Sequence, residues 1–597
     1  MKGALILLAL LAGMAWAADP YVGYVYPAGV QAGTTNRLIV GGQFFWNLKG
    51  VEAGPGVRVL GFALVPNFPP PVGGQRRYLV KWLDRIAEGD RTQPRLPVED
   101  EFYTDWRSNR WYSALGELDA GQLALVEHFL YTPRNALQMS PALSQKLHVT
   151  VAVDKDAAPG VRALRVYGPQ GFSPPRPFLV SAAPHVVEPL YVPPHRTQPA
   201  PPVVTNLPCV LDGQILPGST DRWILPLAKG RTVTLRVTAR ELQPYIGDAV
   251  PGFFNPVLRL VNRAGDQLAF ADDFFYHPDP ALTFTAPADD DYTLEIHDNL
   301  YRGREDFTYE IAVREGAHLP SVRTLSLSPL PAWEVPPAAQ AQTFSGVIAR
   351  PGQVDVHTVS VPEPCERTFD LLARRAGSPL DARVTVWRGA DRIARIDDVT
   401  NTFLFGSVIQ AECDPVGRVK FDRPGTYEIR VEDEAGHGGA DFFYTLRLHR
   451  PAPRFEVWCL KSGLALRAWW GGARVGFEVV RRDGFDGSVT LEENDFVKFK
   501  PNVIPAASNR VVVTAISKLQ KPLAPTNMTL TASAVVNGVR VTVPVTPADE
   551  YNQAFAWNHL VPARTFAFVG LPGNRPKPKK NAPPPKKAPV PPKVKKD

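Results

Sequence analysis

Residues Tyr292 to Ile311 read YTLEIHDNLYRGREDFTYEI, and Tyr427 to Leu446 read YEIRVEDEAGHGGADFFYTL. The second stretch begins 135 residues after the first, and the two align without a gap. Identical residues are Tyr292/Tyr427, Asp298/Asp433, Gly303/Gly438, Asp306/Asp441, Phe307/Phe442 and Tyr309/Tyr444. The apolar positions agree as well: Leu294, Ile296 and Ile311 match Ile429, Val431 and Leu446. Each copy is an alternating strand, a loop rich in Asp and Gly, and a second alternating strand, which predicts a β-hairpin. A block that occurs twice describes architecture and names no chemistry.

The 597 residues correspond to roughly three to five domains. With 61 prolines, and with Val, Thr and aromatic residues gathered in short runs, the chain favours strands and turns over long helices. The expected fold class is mainly β: several β-sandwiches in series, with a helical insertion in the first.

Lys2, the apolar run Ala4 to Met14 and the small residues of Ala15-Trp16-Ala17 have the form of a secretion signal over 1–17. A membrane anchor needs about 20 apolar residues, so no transmembrane helix is expected in the mature chain. The expected location is periplasmic, cell-surface or extracellular. The four cysteines form no CxxC metal or redox motif. Cys365 and Cys413 share the second copy, and in an exported protein they are expected to bond to each other. Cys209 and Cys459 are expected to be buried free thiols.

The net charge of +7 does not describe the folded part. Residues 575–597 carry eight Lys, one Arg and one Asp, which leaves the rest of the chain at −1. That balance gives no case for a specific nucleic-acid partner. Eight prolines and no apolar pattern predict a disordered tail over 574–597. Its lysines, Lys577, Lys579, Lys580, Lys586, Lys587, Lys593, Lys595 and Lys596, are candidates to tether the protein to an anionic surface. A soluble spacer is the alternative.

From Tyr21 the chain reads as short strands punctuated at Pro27-Ala28-Gly29, Ala32-Gly33-Thr34 and Gly41-Gly42, and Val149 to Val180 supplies three more. These stretches resemble the start and finish of an immunoglobulin-like IPT/TIG domain, here over 18–181. Within it, about 73–145, the period changes: Leu79, Trp82, Leu83 and Ile86 fall on one helical face, as do Leu123, Val126, Phe129 and Leu130. In this insertion Phe102, Tyr103, Trp106, Trp111 and Tyr112 are expected to pin it to its host sheet, with a ligand groove as the alternative. Seven prolines over 182–206 predict a linker or surface wrap.

The first repeat, 207–315, opens with Asp212-Gly213-Gln214-Ile215 and Pro217-Gly218-Ser219-Thr220-Asp221. After a linker over 316–343, the second, 344–451, opens with Gly346-Val347-Ile348 and Pro351-Gly352-Gln353-Val354-Asp355. The order Gly-x-Ile, Pro-Gly-x-x-Asp, strand, Asp-Asp and Tyr-led block resembles the bacterial pre-peptidase C-terminal (PPC) domain along nearly the whole of both copies. Residues 455–570 alternate in further strands and predict an immunoglobulin-like sandwich. The run Pro547 to Ala563 resembles the closing segment of large exported bacterial proteins that combine an IPT-like start with PPC domains.

The PPC resemblance implies a neighbouring secreted protease. The sequence shows no Gly-x-Ser-x-Gly elbow, no His-Glu-x-x-His helix and no nucleotide-binding loop. A glycosidase pair of carboxylates would leave no motif. Asp272, Asp273, Asp397 and Asp398 follow matching strands, while Asp298/Asp433 and Asp306/Asp441 flank the repeated loop. Carboxylates gathered beside backbone carbonyls would suit calcium. Asp at strand ends also caps turns through nearby N–H groups, which is the reading taken, with no cofactor expected. The sequence therefore points to an exported, non-catalytic adhesion or scaffold protein whose partner is cell-envelope polymer or another extracellular macromolecule. The alternative is an accessory or hydrolytic protein acting on extracellular protein or polysaccharide.

Overall fold

The computed structural model describes residues 19–66, 73–94, 110–131, 141–243, 253–274, 278–317, 341–399, 407–409, 412–469, 471–552 and 558–574. The signal sequence, Phe102, Tyr103, Trp106 and the tail lysines lie outside them. No helix among the described residues is long and apolar enough to cross a membrane. The chain is mainly β and builds several sandwiches.

In the first unit, Tyr21–Tyr26, Thr35–Gln43, Gln145–Val153 and Val57–Leu64 form one antiparallel sheet. Gly29–Gln31, Arg176–Ser181, Gly160–Gly168 and Gly50–Glu52 form the other. Alternation puts Leu147, Val149 and Val151 inward, against Leu164, Val166, Phe178 and Val180 of the facing sheet. The helices Gly73–Ala87 and Ala120–Tyr131 leave and rejoin this unit between two paired strands. They bury Leu79, Trp82 and Leu83 with Val126 and Leu130 in a core of their own. Trp111 and Tyr112 belong to that core, and the Trp111 ring lies 5.7 Å from His148 on the host sheet.

The two repeats share one topology. In the first, Cys209–Gln214, Thr308–Glu315, Thr232–Thr238 and Ala281–Thr285 face a sheet of Asp221–Leu227, Asp290–Asp298, Pro256–Val261 and Gln267–Ala271. In the second, Gln342–Val347, Phe443–His449, Cys365–Leu372 and Glu412–Phe421 face Val354–Val361, Gly425–Asp433, Ala382–Arg388 and Asp391–Ile396, in the same spatial order.

This corrects the expected hairpin. Asp290–Asp298 pairs with Asp221–Leu227 and Pro256–Val261, while Thr308–Glu315 pairs with Cys209–Gln214 and Thr232–Thr238. The repeated block is thus a crossing from one sheet to the other. Tyr292, Leu294 and Ile296 meet Tyr309, Ile311 and Val313 within a single core. Alternation is the same whether two strands lie side by side or face to face, so periodicity cannot separate the two cases.

Four of the six repeated identities hold this crossing. Asp298 Oδ1 accepts from Asn255 N at 2.9 Å and Oδ2 from Arg302 N at 3.1 Å; Asp433 Oδ1 accepts from Asp381 N at 2.9 Å and Oδ2 from His437 N at 2.8 Å. A Cβ on Gly303 would lie 2.1 Å from the Leu216 carbonyl, and one on Gly438 would lie 2.4 Å from that of Arg350. Tyr309 and Tyr444 donate to Asp221 and Asp355 at 2.8 and 2.9 Å. Tyr292 and Tyr427 donate to the carbonyls of Ala288 and Arg423, both at 2.7 Å.

The C-terminal unit packs a long sheet containing Arg454–Cys459, Gly472–Arg482 and Val539–Asn552 over Gly463–Arg467, Phe566–Leu571 and Leu523–Met528. Buried polar groups tie the units together. Arg176, 1% exposed, donates to Val22 O at 2.9 Å and to Gln243 of the first repeat. Arg165 donates to Ser462 of the C-terminal unit at 2.7 Å. Asp483 accepts from Arg418 of the second repeat at 3.1 Å and pairs with Arg454 at 3.0 Å.

The expected disulfide does not form. Cys365 is a free thiol, and its ladder partner is Phe421, eight residues along the same strand from Cys413. At about 3.4 Å per residue, that register keeps the two far beyond bonding range. Cys209 and Cys459 are buried free thiols.

Gly303→Ala forces the Leu216 backbone aside and is expected to cost about 1–3 kcal/mol, read as a lower urea midpoint of the full chain. Gly61→Ala has open space around its Cβ and should stay within about 0.5 kcal/mol.

Candidate ligand cleft and an adjoining Ser/His/Asp cluster

Prolines lack an N–H and cannot extend a ladder, so the Pro-rich segment after Ser181 pairs as a short strand, His185–Val187, parallel to Cys209–Gln214, and again through an isolated bridge of Val203 to Ile224. The chain then wraps over the first repeat. Its far end docks where Val204 N donates to Ile224 O at 2.8 Å and Ile224 N to Pro202 O at 2.9 Å. Between the wrap, the helix Ala120–Tyr131, the first sheet and the first repeat lies a cleft of about 570 Å³. Tyr191, Pro194, Leu125 and Pro217 contribute walls, and Glu188 and Asp221 line it.

Backbone contacts place both acids. Glu188 N donates to Asp212 O at 2.9 Å, and Asp221 opens the strand Asp221–Leu227. Tyr26 donates to Glu188 at 2.8 Å, and Tyr309 donates to Asp221. The two carboxyls hydrogen-bond to each other, which requires a proton on one of them. Burial pushes Asp221 up to about 6; burial and then the charge of Asp221 push Glu188 well above the usual carboxylate range. Such contact is closer than the ~5 Å separation of a retaining glycosidase pair. Beside them, Glu305 meets Tyr24 at 3.1 Å, His128 at 3.1 Å and Lys146 at 2.9 Å. Burial alone would raise the Glu305 carboxyl, but Lys146 and His128 outweigh it and hold the group far below its ordinary value.

Three residues before Glu188 stands a Ser/His/Asp arrangement. Ser181 Oγ lies 2.9 Å from His185 Nε2, and His185 Nδ1 lies 2.6 Å from Asp212 Oδ2. These are the separations of a nucleophile, its base and the base's orienting acid. Proton accounting assigns a different role. Ser181 spends its one proton on Ala183 O at 2.7 Å, so Nε2 must donate to Oγ. With Nε2 donating, that nitrogen has no lone pair to take a serine proton, and Nδ1 faces Asp212. Burial lowers the His185 value, and the Asp212 carboxylate more than reverses this. The buried Glu310 beside them is pushed up to about 7, first by burial and then by Asp212. The cluster fastens the start of the wrap to the first repeat.

Sequence reasoning named neither Glu188, Glu305 nor the His185 cluster. One signal was present: Glu305 stands where the second copy has Ala440, a departure inside an otherwise matching block. Of the acids that were named, Asp298 also takes Leu300 N at 3.0 Å and the Arg302 guanidinium at 2.8 Å. Asp306 pairs with Arg304 at 2.6 Å, and Asp397 with Arg395 at 2.6 Å. Asp272, Asp273 and Asp441 are exposed, and the side chain of Asp398 lies outside the described residues. Among the described residues no three metal-ligating side chains converge.

With the oxygens of Asp298 and Asp433 occupied by N–H donors, millimolar calcium and a chelator are expected to give the same melting temperature. A calcium-dependent rise would assign these acids to a metal. Glu188, Asp221, Glu310 and His185 all have folded-state values raised above the unfolded ones. Each contributes stability that is fully present below its unfolded value and is lost as pH rises through its folded value. The melting temperature is therefore expected to fall between pH 5 and pH 8, and Glu310→Gln should flatten that slope.

No family model matches the chain, and no curated protein matches it. Solved structures similar to it include the pre-peptidase C-terminal domain of collagenase from Bacillus anthracis, 14% identical, covering 20% of this chain and 100% of that one, TM-score 0.15. The D1–D4 ectodomain fragment of ICAM-5 is 11% identical and covers 91% and 100%, TM-score 0.12. Tripeptidyl peptidase 2 is 10% identical and covers 73% and 35%, TM-score 0.13. Similarity this low carries no argument about what the chain does.

Proposed function

We propose that this is an exported, non-catalytic scaffold or adhesion protein that binds a cell-envelope polymer or another extracellular macromolecule in the cleft beside its first repeat. The observation that carries the reading is how its charged groups are used. Arg165, Arg176, Asp483, Glu305 and the His185/Asp212 pair all join one unit to another, and a cleft opens at one of those junctions. The leader-like Lys2 and the apolar run after it support export. Loops and clefts placed on strand-built supports are a common arrangement for binding.

A second reading, hydrolysis of extracellular protein or polysaccharide, draws on the proton-sharing pair Glu188 and Asp221. Two carboxyls in contact are also the pattern of acid proteases.

Both readings are separated by incubating the full chain with the envelope fraction of its source organism. Binding predicts retention of intact polymer, reduced at least tenfold by Glu188→Gln, and no labelling of Ser181 by a fluorophosphonate. Shortened polymer or cleaved protein, lost in Asp221→Asn, overturns the non-catalytic reading, as does a labelled Ser181.

A further inference from the structure

Glu188 and Asp221 form an acceptor-rich spot in a cleft whose walls are otherwise mostly proline rings, aromatic rings and aliphatic side chains. Tyr191 packs edge-on against His128 at 5.1 Å, and Leu190 stays 53% exposed at the rim. Flat apolar faces of this kind take up extended proline-containing segments, because such segments present prolines at regular intervals and give up little conformational freedom on docking. The acids select the rest of the ligand. Two neighbouring carboxyls on the cleft wall offer a place for an ammonium group, whose three N–H donors can satisfy oxygens of both.

The chain itself contains a segment of that chemistry. Residues 575–597 interleave eight lysines with eight prolines, and they carry a net charge opposite in sign to that of the rest of the chain. Their point of departure is suited to the cleft. The last strand, Phe566–Leu571, packs Val569 and Leu571 against Phe172 of the first unit, the same unit that supplies Tyr24 and Tyr26 to the cleft. The tail therefore leaves from a strand packed on the unit that also lines the cleft. Twenty-three residues can reach at most about 80 Å.

We propose that the cleft is the docking site of the chain's own 575–597 segment, with a lysine ammonium seated between Glu188 and Asp221 and prolines against Tyr191 and Leu190. This rests on the reading of the cleft as a binding site. In the docked state the lysines are withdrawn from anionic surfaces, so an envelope polyanion and the cleft compete for one segment.

The test uses the protein truncated after residue 574 and a fluorescent synthetic peptide of residues 575–597, followed by anisotropy. Saturable binding is expected, at least tenfold weaker with Glu188→Gln. The untruncated chain should take up the peptide at least tenfold more weakly, since its cleft is already filled. Glu188→Gln could unsettle the junction, so a second arm leaves the body intact and replaces every lysine of the peptide by glutamine. Affinity retained by that peptide overturns the proposal, and so does equal uptake by the truncated and full chains. If the peptide fails to bind while envelope polymer is still retained through Glu188, the tail is not the ligand and the binding reading stands. If polymer is not retained either, both are wrong.

Discussion

The carboxylate of Asp298 fixes the turn at which the chain leaves one sheet and enters the other. It gathers the N–H groups of Asn255, Leu300 and Arg302, with the Arg302 guanidinium closing the set. A buried carboxylate is tolerated only when its lone pairs are taken up in this way. Asp433 repeats the arrangement with Asp381 and His437. Because the turn is held, the two alternating strands can face each other across the core. Tyr309 then reaches Asp221, and the floor of the cleft is set. Disrupting the cap would expose the sandwich interior and the cleft together.

The second copy has the same Tyr–Asp contact. Tyr444 donates to Asp355, and His357 meets the same hydroxyl at 2.7 Å. What the first copy adds comes from outside it. Glu188 arrives on the wrap, Tyr26 from the first sheet, and Lys146 and His128 from the host strand and the inserted helix. The site is a property of the junction, and a repeat alone does not make it.

The Ser181, His185 and Asp212 arrangement shows why distances alone do not establish catalysis. The heavy-atom separations would suit a triad, yet a carbonyl two residues away takes the serine proton and reverses the polarity of the second hydrogen bond. An imidazole ring that donates to the serine oxygen and faces a buried carboxyl joins two units and takes no proton from that serine. The same charged chemistry recurs at Arg165, Arg176 and Asp483. At these junctions a partner lost would leave a buried charge uncompensated, a far larger penalty than the loss of an exposed ion pair.

The sequence alone determined the β class, the twofold repeat, the helical insertion and the positions of the turn-capping Asp298 and Asp433, because all of these follow from local spacing and residue type. Leu79, Trp82 and Leu83 are legible on one face whatever lies opposite. Tertiary structure alone decided that the repeated strands cross between sheets, since alternation buries the same residues in either arrangement. It also separated Cys365 from Cys413, because ladder register is set by pairing partners and not by membership of one domain. Glu188 and Glu305 gained their meaning only there too: Glu188 is an ordinary acid until Tyr26 and Asp221 meet it, and Glu305 until Tyr24, His128 and Lys146, all more than a hundred residues away in the chain, surround it.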